Sequence, residues 1–201
     1  MKVLLFATFA ASTVAFIPTS NKVESNALLA VKEKSGALPF LPYPENLRGY
    51  VGEEIGFDPL RISDYFPMDY LREAELKHSR IAMLAITGFI AVDLGFTLPF
   101  AQGVSSADAH NFGVEQGLFG AVGIPIGVFE MVSWLAVQEM LQGSGREPGN
   151  FGFGLKYLDG KSEENIKKVK MWELLNGRLA MFAIGGAATQ SVLTGHGFPY
   201  V

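Results

Sequence analysis

EAELKHSRIAMLAITG, Glu73 to Gly88, puts Glu75, Lys77, His78 and Arg80 at the mouth of an otherwise apolar helix, and the pattern occurs twice. Set beneath ELKHSRIAMLAITG (Glu75 to Gly88), the later segment ELLNGRLAMFAIGG (Glu173 to Gly186) is identical at eight of fourteen positions: Glu, Leu, Arg, Ala, Met, Ala, Ile and Gly. Ala82, Ala85 and Gly88 in one copy, and Gly177, Ala180, Ala183 and Gly186 in the other, place small residues at three- and four-residue spacing. Such stripes let two helix backbones approach closely.

The surrounding composition leans towards membrane: 49% of the 201 residues are hydrophobic, 18% are charged, and mean hydropathy is positive. A carboxylate or guanidinium inside a bilayer costs about 2.5–3.5 kcal/mol even on a lenient insertion scale, so Glu75, Arg80, Glu173 and Arg178 need partners there. The duplication supplies them. If the two helices cross with approximate two-fold symmetry, Glu75 meets Arg178 and Glu173 meets Arg80, leaving no net charge.

Outward from this motif the chain divides simply. Met1-Lys2 followed by VLLFATFAASTVAF reads as a signal segment too short to span a bilayer, and Ile17 to Ala30 is transit-like, with one acidic residue, Glu24. A plain secretory signal also fits that stretch. Residues 1–30 are therefore expected to be a presequence and 31–201 the working domain. Gly36 to Asp64 holds four prolines and enough apolar side chains to make a packed, irregular arm rather than disorder. Helices are expected over about 69–95, capped by Asp69, about 117–141, where Pro125 should bend the helix or mark the start of its regular part, and about 162–193, capped by Ser162 and stopped by Gly195. Thr97 to His110 and Gln142 to Gly154 are loops.

The fold expected is all-α and membrane-embedded, with three transmembrane helices of which the first and third cross as a pseudo-two-fold pair. No helix carries an uninterrupted run of about 18 apolar residues; the charge-free run of the first is Ile81 to Val92. Hydropathy by itself is also consistent with a soluble bundle.

Ion pairing leaves His78, Asn176 and Gln190 without a role. Glu75 and His78 are three apart, as are Glu173 and Asn176, so each helix sets two ligand-type side chains on one face. Gln190 follows Asn176 by nearly a whole number of turns, about 21 Å along the axis. Single oxygen or imidazole donors on apolar helices do not make a metal cage. They fit a metal already held by four equatorial nitrogens and needing one axial ligand, and magnesium in a chlorin is such a metal. A liganding glutamate keeps its charge, so the arginine opposite serves both helix and ligand.

The paired segments Glu75 to Met83 and Glu173 to Met181, with GFDPL (Gly56 to Leu60) ahead of the first helix, resemble the light-harvesting chlorophyll-binding superfamily. The likeness runs from about Gly36 onward. It implies that Glu75, His78, Glu173, Asn176 and Gln190 are axial ligands of chlorophyll magnesium, with Arg178 and Arg80 neutralising the two glutamates. On the middle helix it implies Glu130 and Gln138, with Glu139 the competing choice for the second position. Phe57, Asp58, Pro59 and Leu60 would form a carotenoid-contact loop. The equivalent loop before the third helix, NFGFG (Asn150 to Gly154), lacks an acidic residue, and His196 sits too near Gln190 to be given a pigment.

The arm, the short C-terminus and the two-part presequence are similar to red-lineage chlorophyll a/c proteins. Expected cofactors are chlorophyll a, chlorophyll c, fucoxanthin or peridinin, and xanthophylls such as diadinoxanthin, with magnesium only inside chlorophyll. Expected partners are thylakoid lipids, neighbouring antenna subunits and a photosystem, photosystem I favoured over II, in the thylakoid of a secondary plastid. An energy-dissipating member of the same family is the alternative, and a small transporter the rival from another class; it would need a polar stripe that these helices lack.

Other classes fall away. With no cysteine, thiolate sites and disulfides are impossible, and a net charge of −4 offers no basic patch for nucleic acid. No Ser/His/Asp set, phosphate loop or metalloprotease motif is present, so an enzyme is not expected.

Overall fold

The computed structural model describes residues 33–153 and 155–200, the side chains of 155 and 156 excepted. The presequence expected over 1–30 lies outside the described residues. Among the described residues five α-helices follow one another: α1 (Met68–Asp93), α2 (Ala109–Glu115), α3 (Leu118–Leu141), α4 (Leu155–Leu158) and α5 (Glu163–Thr194). At about 1.5 Å per residue the three long ones run roughly 36–48 Å.

Local sequence accounts for most of the boundaries. Ser162 caps α5, its hydroxyl accepting the Asn165 N–H at 3.4 Å, and Gly195 closes the helix in the left-handed region at φ 69°. α3 continues through Pro125, its eighth residue, where the ring forgoes one intrahelical bond, the one to the Ala121 carbonyl. One expectation fails. Asp69 does not cap α1: the cap position is Pro67 with no side-chain bond, and the Asp69 carboxylate instead accepts the Tyr50 hydroxyl at 2.5 Å. The loop expected over Thr97 to His110 is followed by a short helix that was not expected, α2, which packs against α3 and sets His110 and Phe119 in a tilted contact, ring centroids 5.0 Å apart.

α1 and α5 form the central pair, with α3 touching α1 far more sparsely. Their crossing lies where the small residues fall: Ala82, Gly177, Ala180 and Ser79 are all buried. The rest of the apolar surface faces outward. Ile81, Leu84, Leu179 and Phe182 are exposed, as are most side chains of α3. α3 alone among the described helices is long and apolar enough, by length and composition, to cross a membrane, at a mean hydropathy of 1.7. It meets that test, which the uninterrupted apolar run did not, once Glu130 is tolerated in the middle.

The arm, residues 36–64, is irregular as its prolines dictate, with 3-10 turns at Glu45–Leu47, Glu53–Ile55 and Ile62–Asp64. It is fixed by polar contacts more than by apolar burial. Ser35 Oγ donates to Gly56 O at 2.6 Å and Tyr43 Oη to Glu53 O at 2.8 Å, while Phe40, Phe57 and Leu60 stay exposed.

Candidate functional site: two related charge clusters

At the crossing, Arg178 Nε lies 2.7 Å from Glu75 Oε1, and Arg80 Nε lies 2.7 Å from Glu173 Oε1. Both are ordinary charge-assisted contacts, made by the repeated Glu and Arg of the two helices. The surroundings of the two pairs differ. Glu75 has a second cation, Arg72, one turn earlier on its own helix, whose Nη1 reaches Oε2 at 2.9 Å and whose Nη2 donates to Val51 O. Lys170, which holds the place of Arg72 on α5, bonds Glu147 instead.

Each pair opens on a cavity. One, of about 550 Å³, is lined by Glu173, Arg80, Leu76, Val169, Phe153 and Tyr157. The other, of about 560 Å³, is lined by Glu75, Arg178, Leu71, Phe57, Asp58 and Phe182. In each, the loop ahead of one helix closes over the other helix. A Cβ on Gly52 would meet Leu174 Cδ2 at 3.4 Å, and one on Gly149 would fall 2.5 Å from Leu76 Cδ1. Both glycines also have positive φ, so their lack of a side chain answers both backbone and space.

His78 and Asn176 sit on the outer side of these clusters and are exposed. His78 Nδ1 is 2.7 Å from Ala74 O. A carbonyl only accepts, so the Nδ1 hydrogen is used there and the Nε2 lone pair faces outward. Asn176 repeats the arrangement: its Nδ2 donates to Trp172 O at 2.9 Å, again one turn back, which turns its carbonyl oxygen out. Two side chains of different chemistry thus present one unprotonated donor atom each, the form an axial ligand of a macrocycle-bound magnesium takes.

The remaining positions lie apart. Gln190 is at the far end of α5, its Nε2 donating to Tyr200 O at 3.3 Å and its Oε1 left to accept. Glu130 is not isolated on α3: Lys77 Nζ reaches its Oε2 at 2.6 Å, a pair that neutralises the one charge in the apolar part of the helix. Gln138 is half-buried and Glu139 exposed two turns further on. Among the carotenoid-loop residues, Asp58 caps the 3-10 turn at Ile62–Asp64, accepting the N–H of Ile62 at 2.9 Å and of Ser63 at 3.0 Å. Burial pushes its carboxyl up, but the Ser63 and Ile62 donors outweigh it and hold it below the ordinary value. Phe57, Pro59 and Leu60 are exposed beside it. In the arm, burial first and the Asp69 carboxylate second push the Tyr50 phenol up to about 12.

The partners of four charged residues near the site escape the sequence reading. Arg72 was legible as a cation three residues before Glu75, and Lys77 as the nearest cation for a carboxylate stranded in an apolar helix. Glu73 and Arg146 were not. Glu73 is buried, and its Oε2 takes Arg146 Nη2 at 2.9 Å and the Gly149 N–H at 2.6 Å, contacts made across a glycine-rich loop whose path no local pattern sets.

Comparison with known proteins agrees with this geometry. Residues 43–192 match the family model described as Chlorophyll A-B binding protein. The chain is 32% identical over 178 residues to the fucoxanthin-chlorophyll a-c binding protein, chloroplastic, of Chattonella marina var. antiqua, covering 84% of this chain and 79% of that one. It is 30% identical over 198 residues to fucoxanthin-chlorophyll a-c binding protein F, chloroplastic, of Phaeodactylum tricornutum, covering 92% of each. To light-harvesting complex stress-related protein 1, chloroplastic, of Chlamydomonas reinhardtii it is 31% identical over 186 residues, covering 81% of this chain and 72% of the relative.

Proposed function

The chain belongs to the chlorophyll A-B binding protein family, a family of light-harvesting pigment-binding proteins and not of enzymes, and on that premise we propose that it is a thylakoid antenna subunit carrying chlorophyll a, chlorophyll c and fucoxanthin. The observation that carries this reading is the outward lone pair at both His78 and Asn176, each fixed by a bond to the carbonyl one turn back. Fucoxanthin is preferred to peridinin because two of the relatives are named for it. Xanthophylls such as diadinoxanthin complete the proposed set.

Bound pigments supply light absorption and the excited states that move between them. The protein fixes their spacing and keeps water out. His78 would hold magnesium through Nε2, and Asn176, Gln190 and Gln138 through amide oxygens. Glu75, Glu173 and Glu130 would do so through carboxylates kept neutral by Arg178, Arg80 and Lys77. The two exposed apolar faces of α1 and α5, and nearly the whole of α3, would be covered by pigments and lipid, with all three long helices spanning the membrane. Delivery of excitation to photosystem I is the final part of the proposal, resting on the likeness of the arm and of the loop GSGREPGNFGFG (Gly143 to Gly154) to red-lineage antennas of that photosystem.

The stress-related relative supports a second reading, dissipation rather than delivery of excitation. An absorption spectrum of the purified protein tests the pigments: absence of chlorophyll bands would overturn the proposal, and a red-shifted carotenoid shoulder is expected. Fluorescence lifetimes separate the two roles, a long lifetime unchanged on acidification being expected for harvesting. Co-migration with photosystem I after mild solubilisation tests the destination.

A further inference from the structure

Arg80 is not positioned by Glu173 alone. Its Nη1 donates to Gly149 O at 2.8 Å while its Nε holds Glu173 Oε1. Gly149 also donates its own N–H, on the other side of its Cα, to Glu73 Oε2. Gly149 is buried in the left-handed region at φ 78°, pressed on Leu76, so it has little freedom to shift. The carboxylate beneath it is fixed in turn by Arg146. That guanidinium bonds Glu73 Oε2 through Nη2 and Asn150 O through Nη1, at 2.9 Å each, and Ala136 O through Nε at 3.2 Å, with its plane over Phe151 at 4.9 Å. An unbroken set of charge-assisted bonds therefore runs from the end of α3, through the loop before α5, to Arg80 and Glu173.

Among the described residues the other half has no such chain and does not need one. Glu75 receives two arginines directly, whereas Lys170 is drawn to Glu147 and leaves Arg80 as the single cation among the described residues at Glu173. We propose that the buried Glu73–Arg146 pair is a positioning device for Glu173: by fixing Gly149 it aims Arg80, and so sets the orientation of the carboxylate that would take magnesium. Glu73 and Arg146 touch no pigment in this scheme. The inference rests on the reading of Glu173 as a chlorophyll ligand. It makes the Glu173 site, and not the Glu75 site, answer to the loop between α3 and α5.

The full-length chain and its Glu73→Gln, Glu173→Leu and doubly substituted forms, refolded with chlorophyll a, chlorophyll c and fucoxanthin, test this by chlorophyll-to-polypeptide ratio and difference absorption. Glu173→Leu should lose one chlorophyll, and its difference spectrum marks that pigment. Glu73→Gln should lose or shift the same band and no other, and the double variant should lose no more than Glu173→Leu alone. A Glu73→Gln spectrum equal to wild type, losses that add, or bands lost from both halves would overturn the positioning role while leaving Glu173 a ligand. If Glu173→Leu itself keeps every chlorophyll, the ligand reading falls and the inference with it. Should Glu73→Gln give no pigmented complex, Arg146→Lys decides by the same comparison, since it keeps the charge but not the three-way donor set.

Discussion

Ser79 and Gly177 meet face to face where α1 and α5 cross, so closely that a Cβ on Gly177 would lie 2.3 Å from Ser79 Cβ and 2.5 Å from its Oγ. They hold the same place in the two copies of the motif, separated by the same offset as Glu75 and Glu173. The two copies of the motif therefore touch at equivalent residues, and both glutamate–arginine pairs join the same two helices. Gly177→Ala must force the helices apart and stretch both ion pairs. It should lower thermal stability by about 1–3 kcal/mol or more, as overpacking does, read as earlier loss of chlorophyll circular dichroism on heating. Adding Ser79→Gly should recover most of the loss, because the next contact, Ser79 Cα, is at 3.2 Å.

His78 is exposed and bonded only to its own helix, so His78→Leu should change the stability of the apoprotein by no more than about 0.5 kcal/mol, the usual range for a surface change. The same variant should bind one chlorophyll fewer. His78→Asn, which copies Asn176, should keep it. Pigment analysis of the three proteins checks the order.

The two arginines should not be equivalent. Arg178→Leu leaves Glu75 paired with Arg72, whereas Arg80→Leu strips Glu173 of its cation and Gly149 of its donor. Arg80→Leu should be the more damaging, by less than the roughly 3–5 kcal/mol of a fully buried pair, since about a third of each side chain is exposed in the protein alone. Parallel thermal melts of the refolded complexes give the comparison.

Lys77→Met should release the chlorophyll proposed at Glu130 and loosen α3 from α1, because it leaves a carboxylate in an apolar helix without its 2.6 Å partner. Lys77→Arg should keep both. Chlorophyll content and protease protection of the α2–α3 segment report the two effects separately.

Asp58 gives the arm a pH dependence of known sign. Its carboxyl is held below the ordinary value, so its contribution is complete above that value and is lost as the pH falls through the lower, folded one. Amide exchange at Ile62 and Ser63 in the solubilised apoprotein should accelerate on acidification through the lower carboxylate range. In Asp58→Asn that acid-induced step should be absent.

Much of this was legible locally. The repeat, the small-residue stripe, the Ser162 cap and the Gly195 stop are short-range patterns, and a helix converts them into faces and ends without help from the rest of the chain. Asp69 misled because the cap rule weighs only neighbours, and Tyr50, far off along the arm, offered that carboxylate a stronger partner. α2 was missed because seven residues carry too little periodicity to stand out from loop.

The sequence by itself determined that two like helices exist and that each brings one acid, one base and one outward donor, because those facts follow from residue spacing within a single helix. Only the tertiary structure decided that the halves differ. Arg72 reaches Glu75 while Lys170 turns to Glu147, and Gly149 links the buried Glu73 to Arg80. These contacts cross between segments far apart in the chain, where distance is set by how loops pack over the opposite helix and not by any repeat along the sequence.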